Sequence, residues 1–181
     1  MPVSTEASRL YETKAQIKAN GETNTVKIQL AVAPQKAVRM EVTATLGVSV
    51  ASVLLTPKEI RMVLPQQKTF IVGPFNEKTL YPVFKEPLNP RLLWKIIHEQ
   101  NPSEKGFVCK LNAIAQPVSC DGTDGLHVEW VYETPVRKRI ELKHGQFEMS
   151  WIFKDQLALP TYQTETFVLK KPEGYKEIVI K

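Results

Sequence analysis

Apolar and polar residues alternate along most of this chain, which is the pattern of half-buried β-strands. In the clearest segment, TVKIQLAVA, four residues fall on one face: Val26, Ile28, Leu30 and Val32. Similar segments precede residue 75 and follow residue 107, the last two being TETFVLKKP and KEIVIK, and short turns such as NGETN and PEGY separate them. Because short turns join neighbouring strands, we expect an antiparallel sheet that grows by meander.

Three segments depart from this simple alternation. Residues 4–12, STEASRLYE, begin with a serine that can cap a helix, and they predict about two helical turns at the N-terminus. The segment VSVASVLL carries no charge on either face, so it is covered on both sides or lines an apolar interior. The segment IRMVLPQQKTFIVG predicts one strand or a pair broken at Pro65.

The alternation stops in residues 75–102, where two helices are predicted. The first segment, NEKTLYPVFKE, is interrupted by Pro82. The second, PLNPRLLWKIIHEQNP, is clearer, because Asn89 can cap it and Pro90 suits its first helical position. Its apolar residues form one stripe, so this helix must lie on an apolar surface. That stripe consists of Leu92, Leu93, Ile96 and Ile97.

These elements predict a mainly β protein with about ten to eleven strands, one N-terminal helix and one helical insertion. An open sheet of that size tends to curl, and a curled sheet with an apolar inner face leaves a mouth. We therefore expect a half-open antiparallel β-barrel whose mouth is covered by the helices of residues 75–102 as a lid. The 181 residues and 43% hydrophobic content suit a single domain, 1–181.

Charge and hydropathy indicate which classes of partner the protein could bind. The net charge of +5 and the pI of about 9.1 would suit an anionic surface such as lipid head groups. The nearest basic patch lies in Arg137, Lys138, Arg139, Lys143 and His144; on a strand, Arg137, Arg139 and Lys143 share one face, which we interpret as a solvated outer face. It lacks the exposed aromatics of a single-strand nucleic-acid binder, so we expect no nucleic-acid partner. No apolar run approaches the ~20 residues of a membrane-spanning helix.

The residues that could act in catalysis or bind a metal match no known motif in the sequence. A nucleophile elbow, a Gly-rich phosphate loop and an HExxH motif are all missing from the sequence. His98, His127 and His144 show no ligand-pair spacing with the two cysteines, so we expect no enzyme, no metal site and no cofactor. Cys109 and Cys120 are two buried thiols in a cytosolic protein, or a disulfide across a hairpin in an exported one.

The order of elements resembles that of the LolA/LolB superfamily of bacterial periplasmic lipoprotein carriers, and it looks closest to LolB-like outer-membrane lipoproteins. The resemblance lies in a run of antiparallel strands, the step TLG, the segment EIRMVLPQQKTFIVG, and a helical insertion with PLNPRLLWKIIHEQNP before a second run of strands. It covers most of the chain.

This resemblance implies an incomplete barrel with a helical lid and an apolar cavity for acyl chains. It implies export to the periplasm or the inner face of the outer membrane, with an export signal and a lipidated cysteine that are not in the present sequence. LolB-like proteins carry a protruding apolar residue at a Leu-Gly step after the third strand, so the resemblance assigns membrane insertion to Leu46. A disulfide between Cys109 and Cys120 would suit such a location.

Two hypotheses follow. In the first, a monomer binds or transports lipid or lipoprotein acyl chains, as a chaperone of outer-membrane lipoproteins, and can approach the outer-membrane surface. In the second, a structural or protein-interaction lipoprotein keeps the fold with a filled barrel and carries no lipid. For the first, we expect the cavity to be lined by Val50, Phe70, Leu80, Phe84, Leu92, Leu93, Trp94, Ile96, Ile97, Trp130, Met149 and Trp151.

Overall fold

A computed structural model describes residues 8–135, 137–158 and 164–181. The strands of the first half are β1 (Arg9–Ala19), β2 (Glu22–Ala33), β3 (Ala37–Ala44), β4 (Ser49–Leu55), β5 (Glu59–Leu64) and β6 (Thr69–Pro74). Two helices follow, α1 (Glu77–Phe84) and α2 (Pro90–Ile97). The strands of the second half are β7 (Phe107–Leu111), β8 (Pro117–Gly122), β9 (His127–Thr134), β10 (Arg137–His144), β11 (Phe147–Ala158) and β12 (Lys176–Val179).

All twelve strands of the described chain belong to one open sheet. Their order is β12-β6-β5-β4-β3-β2-β1-β11-β10-β9-β8-β7, so β12 and β7 form its two edges. Every pairing is antiparallel except that of β12 with β6. The predicted mainly β fold with a large unclosed sheet and a helical cover is therefore confirmed.

The chain order explains why the helices lie over the sheet. Strand β6 lies next to one edge, whereas β7, the next strand along the chain, forms the opposite edge. The connection of residues 75–106 must therefore cross the whole sheet, and α1 and α2 occur in it. We call α1 and α2 the lid, and the sheet face that they cover the inner face.

The inner face and the lid share one apolar core. Alternate residues of nearly every strand point to it, such as Tyr11 and Ala15 of β1 and Met149 and Trp151 of β11. The same cluster contains the apolar stripe of α2. The alternation that predicted half-buried strands thus supplies the floor of this core, and the lid supplies its roof.

The outer face carries a second, smaller core under the C-terminal segment. Phe167 and Leu169 cover small and branched side chains of β2, β3, β4 and β5. Arg39 holds this segment in place, because its Nη1 donates to the carbonyl oxygens of Thr166 at 3.3 Å and Val168 at 3.1 Å. After it crosses the outer face, the chain adds β12 beside β6.

Two local predictions in the first half of the chain have different outcomes. The helix predicted over residues 4–12 is wrong from Arg9 onward, where the chain is already β1, and residues 1–7 lie outside the described residues. Tyr11 continues the alternation of the strand that follows, and its burial in the inner core favours β1 over an isolated pair of helical turns. The pair broken at Pro65 is confirmed, with a turn in which the Lys68 amide donates to the Pro65 carbonyl.

Two errors concern the second half of the chain. The strand predicted for TETFVLKKP is wrong: residues 164–167 form a short 3₁₀ turn and the rest is irregular, because the segment packs across the outer face. Conversely, β8 was not predicted, because its sequence PVSCDG begins with proline and ends in turn-forming residues.

Candidate functional site

The helix α2 forms the centre of the site. Asn89 caps it, since its Oδ1 accepts a hydrogen bond from the Arg91 amide at 2.9 Å, and Pro90 occupies the first turn. Leu93, Ile96 and Ile97 are at most 2% exposed and pack onto the inner face. The opposite side of the helix carries Arg91, which is exposed.

The helix α1 is fixed closely to the sheet at its start. Asn76 caps it by accepting from the Thr79 amide, and Thr79 Oγ1 donates to the Pro74 carbonyl at 2.8 Å. Gly73 permits this approach, because a Cβ at that position would lie 2.5 Å from Thr79 Oγ1. The other end of α1 is a left-handed residue, Lys85, where the chain turns toward α2.

Polar groups within the inner core satisfy one another. Trp151 Nε1 donates to Thr13 Oγ1 at 2.8 Å, and Thr13 Oγ1 donates to the Ile28 carbonyl at 2.6 Å. Thr13 and Trp151 are both buried. Because their hydrogen bonds are made internally, this part of the wall is apolar toward anything that would lie against it.

Side-chain pairs attach the margins of the lid to the sheet. At the end of α2, the backbone N–H of Gln35, in the β2–β3 turn, donates to His98 Nε2 at 3.3 Å. His98 Nδ1 in turn donates to the Trp94 carbonyl. Lys138 of β10 pairs with Glu99 at 3.1 Å. Between the two helices, Glu86 accepts from His144 Nδ1 at 2.5 Å. These contacts are few and lie at the rim of the lid, while its underside is apolar.

All three histidines, two at the rim of the lid and one on the outer face, have shifted pKa values. Burial lowers the pKa of His98, because the imidazolium form loses hydration, and the Trp94 carbonyl offsets this only in part. The hydrogen bond to Glu86 raises the pKa of His144. His127 lies on the outer face between Glu129 and Asp121, and hydrogen bonds to both carboxylates raise its pKa.

Most residues predicted for the cavity meet in the inner core. Ten are buried members of that cluster: Leu80, Phe84, Leu92, Leu93, Trp94, Ile96, Ile97, Trp130, Met149 and Trp151. Val50 is partly buried and packs against the cluster. Phe70 does not join them, because it belongs to the outer core and its neighbour Ile71 faces inward. Both residues are apolar, so alternation in TFIVG cannot tell which one faces the lid.

Several inner-face residues were not predicted for the site. Tyr11 comes from the segment where a helix was expected, Thr13 begins the alternation that follows that segment, and Ala15 is too small to suggest a role. Lys138 was counted in the basic patch and assigned to neither face, and its strand partners, Tyr132 and Phe153, lie on the inner side. Lys138 lies at alternate positions with Ile140 and Leu142 and therefore shares their strand face, which was the sequence signal for its inner position.

Leu46 lies in a short turn between β3 and β4. Its side chain is 96% exposed, the highest value of any large apolar residue in the described chain. Its φ of 77° is left-handed, a conformation that leucine rarely adopts. The turn therefore holds an apolar side chain away from the protein surface.

Cys109 and Cys120 occupy paired positions of β7 and β8 and form a disulfide bond. Cys120 is fully buried in the inner core, and Cys109 packs against it. The bond thus joins the edge strand of the sheet to its neighbour.

The surface also bears a cleft beside the lid. A volume of about 230 Å³ opens along the first half of α2, between Arg91 and Lys95 on one side and Thr123 and Asp124 on the other. Leu92, Phe107 and Leu126 also line it; Leu92 belongs to the inner core, and the other two pack against that core. Within the described residues, no cluster of three or more His, Cys, Asp and Glu side chains could bind a metal ion. No helix in the same residues is long and apolar enough to span a membrane.

The shifted pKa values predict the order in which the histidines titrate. His98 should have the lowest pKa of the three, measured from imidazole resonances by NMR. Its neutral ring stabilises the fold above the ordinary value of about 6.5, and this contribution is lost as the pH falls through the lowered pKa. For His144 the contribution is present below that value and is lost as the pH rises through the raised pKa. A His98 pKa above that of His144 would contradict the rim contacts described here.

Comparison with known proteins supports the architecture. No protein-family model matches the chain, and no curated protein matches it significantly. Solved structures do match over nearly the full length. An outer membrane lipoprotein-sorting protein domain from Vibrio parahaemolyticus is 11% identical, with 89% of each chain covered and a TM-score of 0.59.

Two further solved structures also match this chain over most of its length. A LolA superfamily protein from Nitrosomonas europaea is 7% identical, with 93% of this chain and 92% of that chain covered and a TM-score of 0.54. A DUF1329 family protein from Desulfovibrio piger is 9% identical, with 92% and 91% covered and a TM-score of 0.50. The open twelve-stranded sheet with its helical lid is therefore the LolA/LolB-like fold, as the order of elements in the sequence predicts.

Proposed function

We propose that this protein is a non-enzymatic carrier that holds the acyl chains of lipids or lipoproteins between the inner face and the lid. The observation that supports this most is the amphipathic lid itself. The underside of α2 is apolar, the polar attachments of α2 to the sheet lie at the rim, and left-handed residues, Lys85 and Glu99, follow α1 and α2. With α1 anchored at Thr79, α2 can lift from the sheet and expose an apolar surface.

The energetics favour an acyl chain as the occupant. Each methylene removed from water contributes about 0.8 kcal/mol, so a long chain can replace the contacts that the lid makes with the inner face. The hydrogen bonds of Thr13 and Trp151 are already satisfied, so this wall offers no polar group to an enzymatic substrate. The whole chain, 1–181, would act as one domain.

The setting that we propose is bacterial lipoprotein localisation at the periplasmic side of the outer membrane. The Vibrio protein with this fold is described as an outer membrane lipoprotein-sorting protein domain. A disulfide between Cys109 and Cys120 suits an oxidising compartment. The net charge of +5 would assist approach to an anionic lipid surface. We propose that the carrier acts as a monomer.

Leu46 would contact the membrane in this scheme. It lies at the tip of the β3–β4 turn, nearly fully exposed, and Val48 beside it is half exposed. An isolated apolar side chain on a turn can enter the interfacial region of a bilayer at little cost to the fold. We propose that this turn inserts when cargo is transferred.

A second function is favoured by a different observation. The side chains of the inner face and the lid already form one continuous buried cluster. A structural or protein-interaction lipoprotein with a filled barrel would have the same arrangement and would bind partners on its exterior.

Placing a charge under the lid should abolish lipid binding. In Ile96→Glu or Leu93→Glu, a carboxylate replaces a fully buried side chain that we assign to the cavity, and acyl chains will not pack against it. Binding is measured by displacement of a neutral naphthylamine fluorophore with hexadecanoic acid. The matched control is Arg91→Gln, on the exposed side of the same helix. Circular dichroism must show that the variants are folded, and a folded Ile96→Glu protein with normal binding would contradict the site.

The role of Leu46 can be tested separately from cargo binding. Leu46→Glu should reduce sedimentation with phosphatidylethanolamine–phosphatidylglycerol vesicles by roughly tenfold or more, since burying a leucine side chain is worth about 1.5–3 kcal/mol. Hexadecanoic acid binding should be unchanged. The control Gln66→Glu adds the same charge in the β5–β6 turn at the same end of the sheet. Equal vesicle binding by both variants would remove Leu46 from the proposal.

A further inference from the structure

One end of the inner face carries a polar cluster that the acyl-chain site does not explain. At its centre is Lys138, which faces the inner side together with Ile140 and Leu142. Its side chain is only 13% exposed, and its Nζ lies 4.9 Å above the ring of Phe153. A lysine enclosed in this way needs an anionic partner, because water no longer compensates its charge.

The partner is supplied by the lid. Glu99 follows His98, the C-cap of α2, in a left-handed conformation, and its Oε1 lies 3.1 Å from Lys138 Nζ. The Glu99 side chain is about half exposed, so it reaches the cluster from the solvent side. The pair exists only while the end of α2 rests on the sheet.

Other groups at this end also face the Glu99 carboxylate. Its charge raises the pKa of both Tyr11 and Tyr132, after the larger effect of burial, so both phenols lie near it. Arg9 shares the side of β1 with Tyr11, whose ring lies edge-on to Phe153 at 6.1 Å, and a hydrogen bond from Arg9 lowers the pKa of Tyr11. Lys138 lies over the same Phe153 ring and opposite Tyr132, so two cations and two phenols on sheet strands lie at the end of the inner face that Glu99 reaches from the lid.

Movement of the lid breaks this arrangement. If acyl chains enter under α2, Glu99 must leave Lys138, whereas Lys138 and Arg9 remain on β10 and β1. The apolar floor begins beside them, since Tyr11 and Phe153 belong to both the cluster and the inner core. A ligand with an apolar tail and an anionic head would place its tail against the inner face and pair its head with Lys138.

We propose that Lys138 and Arg9 form a head-group site for an anionic amphiphile, with a carboxylate or phosphate head, and that Glu99 occupies this site when the lid is closed. This inference rests on the carrier function proposed above and specifies its cargo. The head group replaces the Glu99 carboxylate at Lys138, so cargo entry and release of the end of α2 occur together.

The test compares ligands that differ only in the head. Hexadecanoic acid, hexadecyl phosphate and hexadecanol compete with the neutral naphthylamine fluorophore at mildly alkaline pH, for the wild type, Lys138→Met, Glu99→Gln and the control Lys14→Met. Lys14 lies on the exposed side of β1. Methionine keeps most of the length of Lys138 over Phe153 without its charge.

The wild type should bind the two anionic ligands more tightly than hexadecanol. Lys138→Met should weaken an anionic ligand by roughly tenfold and leave hexadecanol unchanged, as expected for one lost charge-assisted contact. Glu99→Gln should tighten the anionic ligands, because it removes the internal competitor, and Lys14→Met should change nothing. The anionic ligand that Lys138→Met weakens more identifies the head group as carboxylate or phosphate.

Two other outcomes are distinguishable. If all three ligands bind the wild type equally and Lys138→Met weakens none selectively, the head-group site is wrong while the carrier function stands. If no ligand displaces the fluorophore from the wild type, or the fluorophore itself does not bind, the carrier function fails and the head-group site fails with it. Unchanged hexadecanol binding in Lys138→Met also shows that this variant is folded.

Discussion

The contact between the apolar stripe of α2 and the inner face is the interaction on which the rest of the structure depends. The sheet does not close, so one face of many strands would be exposed to water without a cover. The chain provides the cover by crossing from β6 to β7 at opposite sides of the sheet, and it forms two helices on the way. Leu93, Ile96 and Ile97 then complete the core that the strands alone leave open.

This arrangement separates the stability of the sheet from the position of the lid. The sheet is held by its strand ladders, by the β1–β11 junction between the two halves of the chain, and by the outer core under Phe167. The lid is held by apolar contact and by rim pairs such as His98 with Gln35 and Lys138 with Glu99. A ligand that replaces the apolar contact of α2 needs to break rim pairs such as these, while the Thr79 anchor of α1 and the ladders stay intact.

Much of this architecture could be predicted from the sequence, because both main elements have strong periodic signals. The alternation around Val26 to Val32 predicts strands, and the stripe of α2 with its Asn89 cap predicts the helix and its buried side. Ten of the twelve predicted cavity residues are buried together for the same reason. These signals are local, so they can be read from the sequence without knowledge of the strand order.

The failures have a common physical origin in contacts between distant segments. Phe70 and Ile71 are both apolar, and only the position of the C-terminal segment gives Phe70 a core on the outer face. That segment alternates like a strand, yet its carbonyl groups bond to Arg39 instead of a neighbouring strand. Lys138 was only one member of a basic patch in the sequence, and the register of β10 and the position of the lid are needed to place it beside Phe153 and Glu99.

Native mass spectrometry of the purified protein, with lipid extraction from the same sample, tests the central claim most directly. If the inner face and the lid form a carrier site, the protein should retain acyl species whose mass shift disappears when hexadecanoic acid displaces them. A single apo mass, together with no uptake of added hexadecanoic acid, would contradict the account and would identify the inner core as a permanently filled barrel.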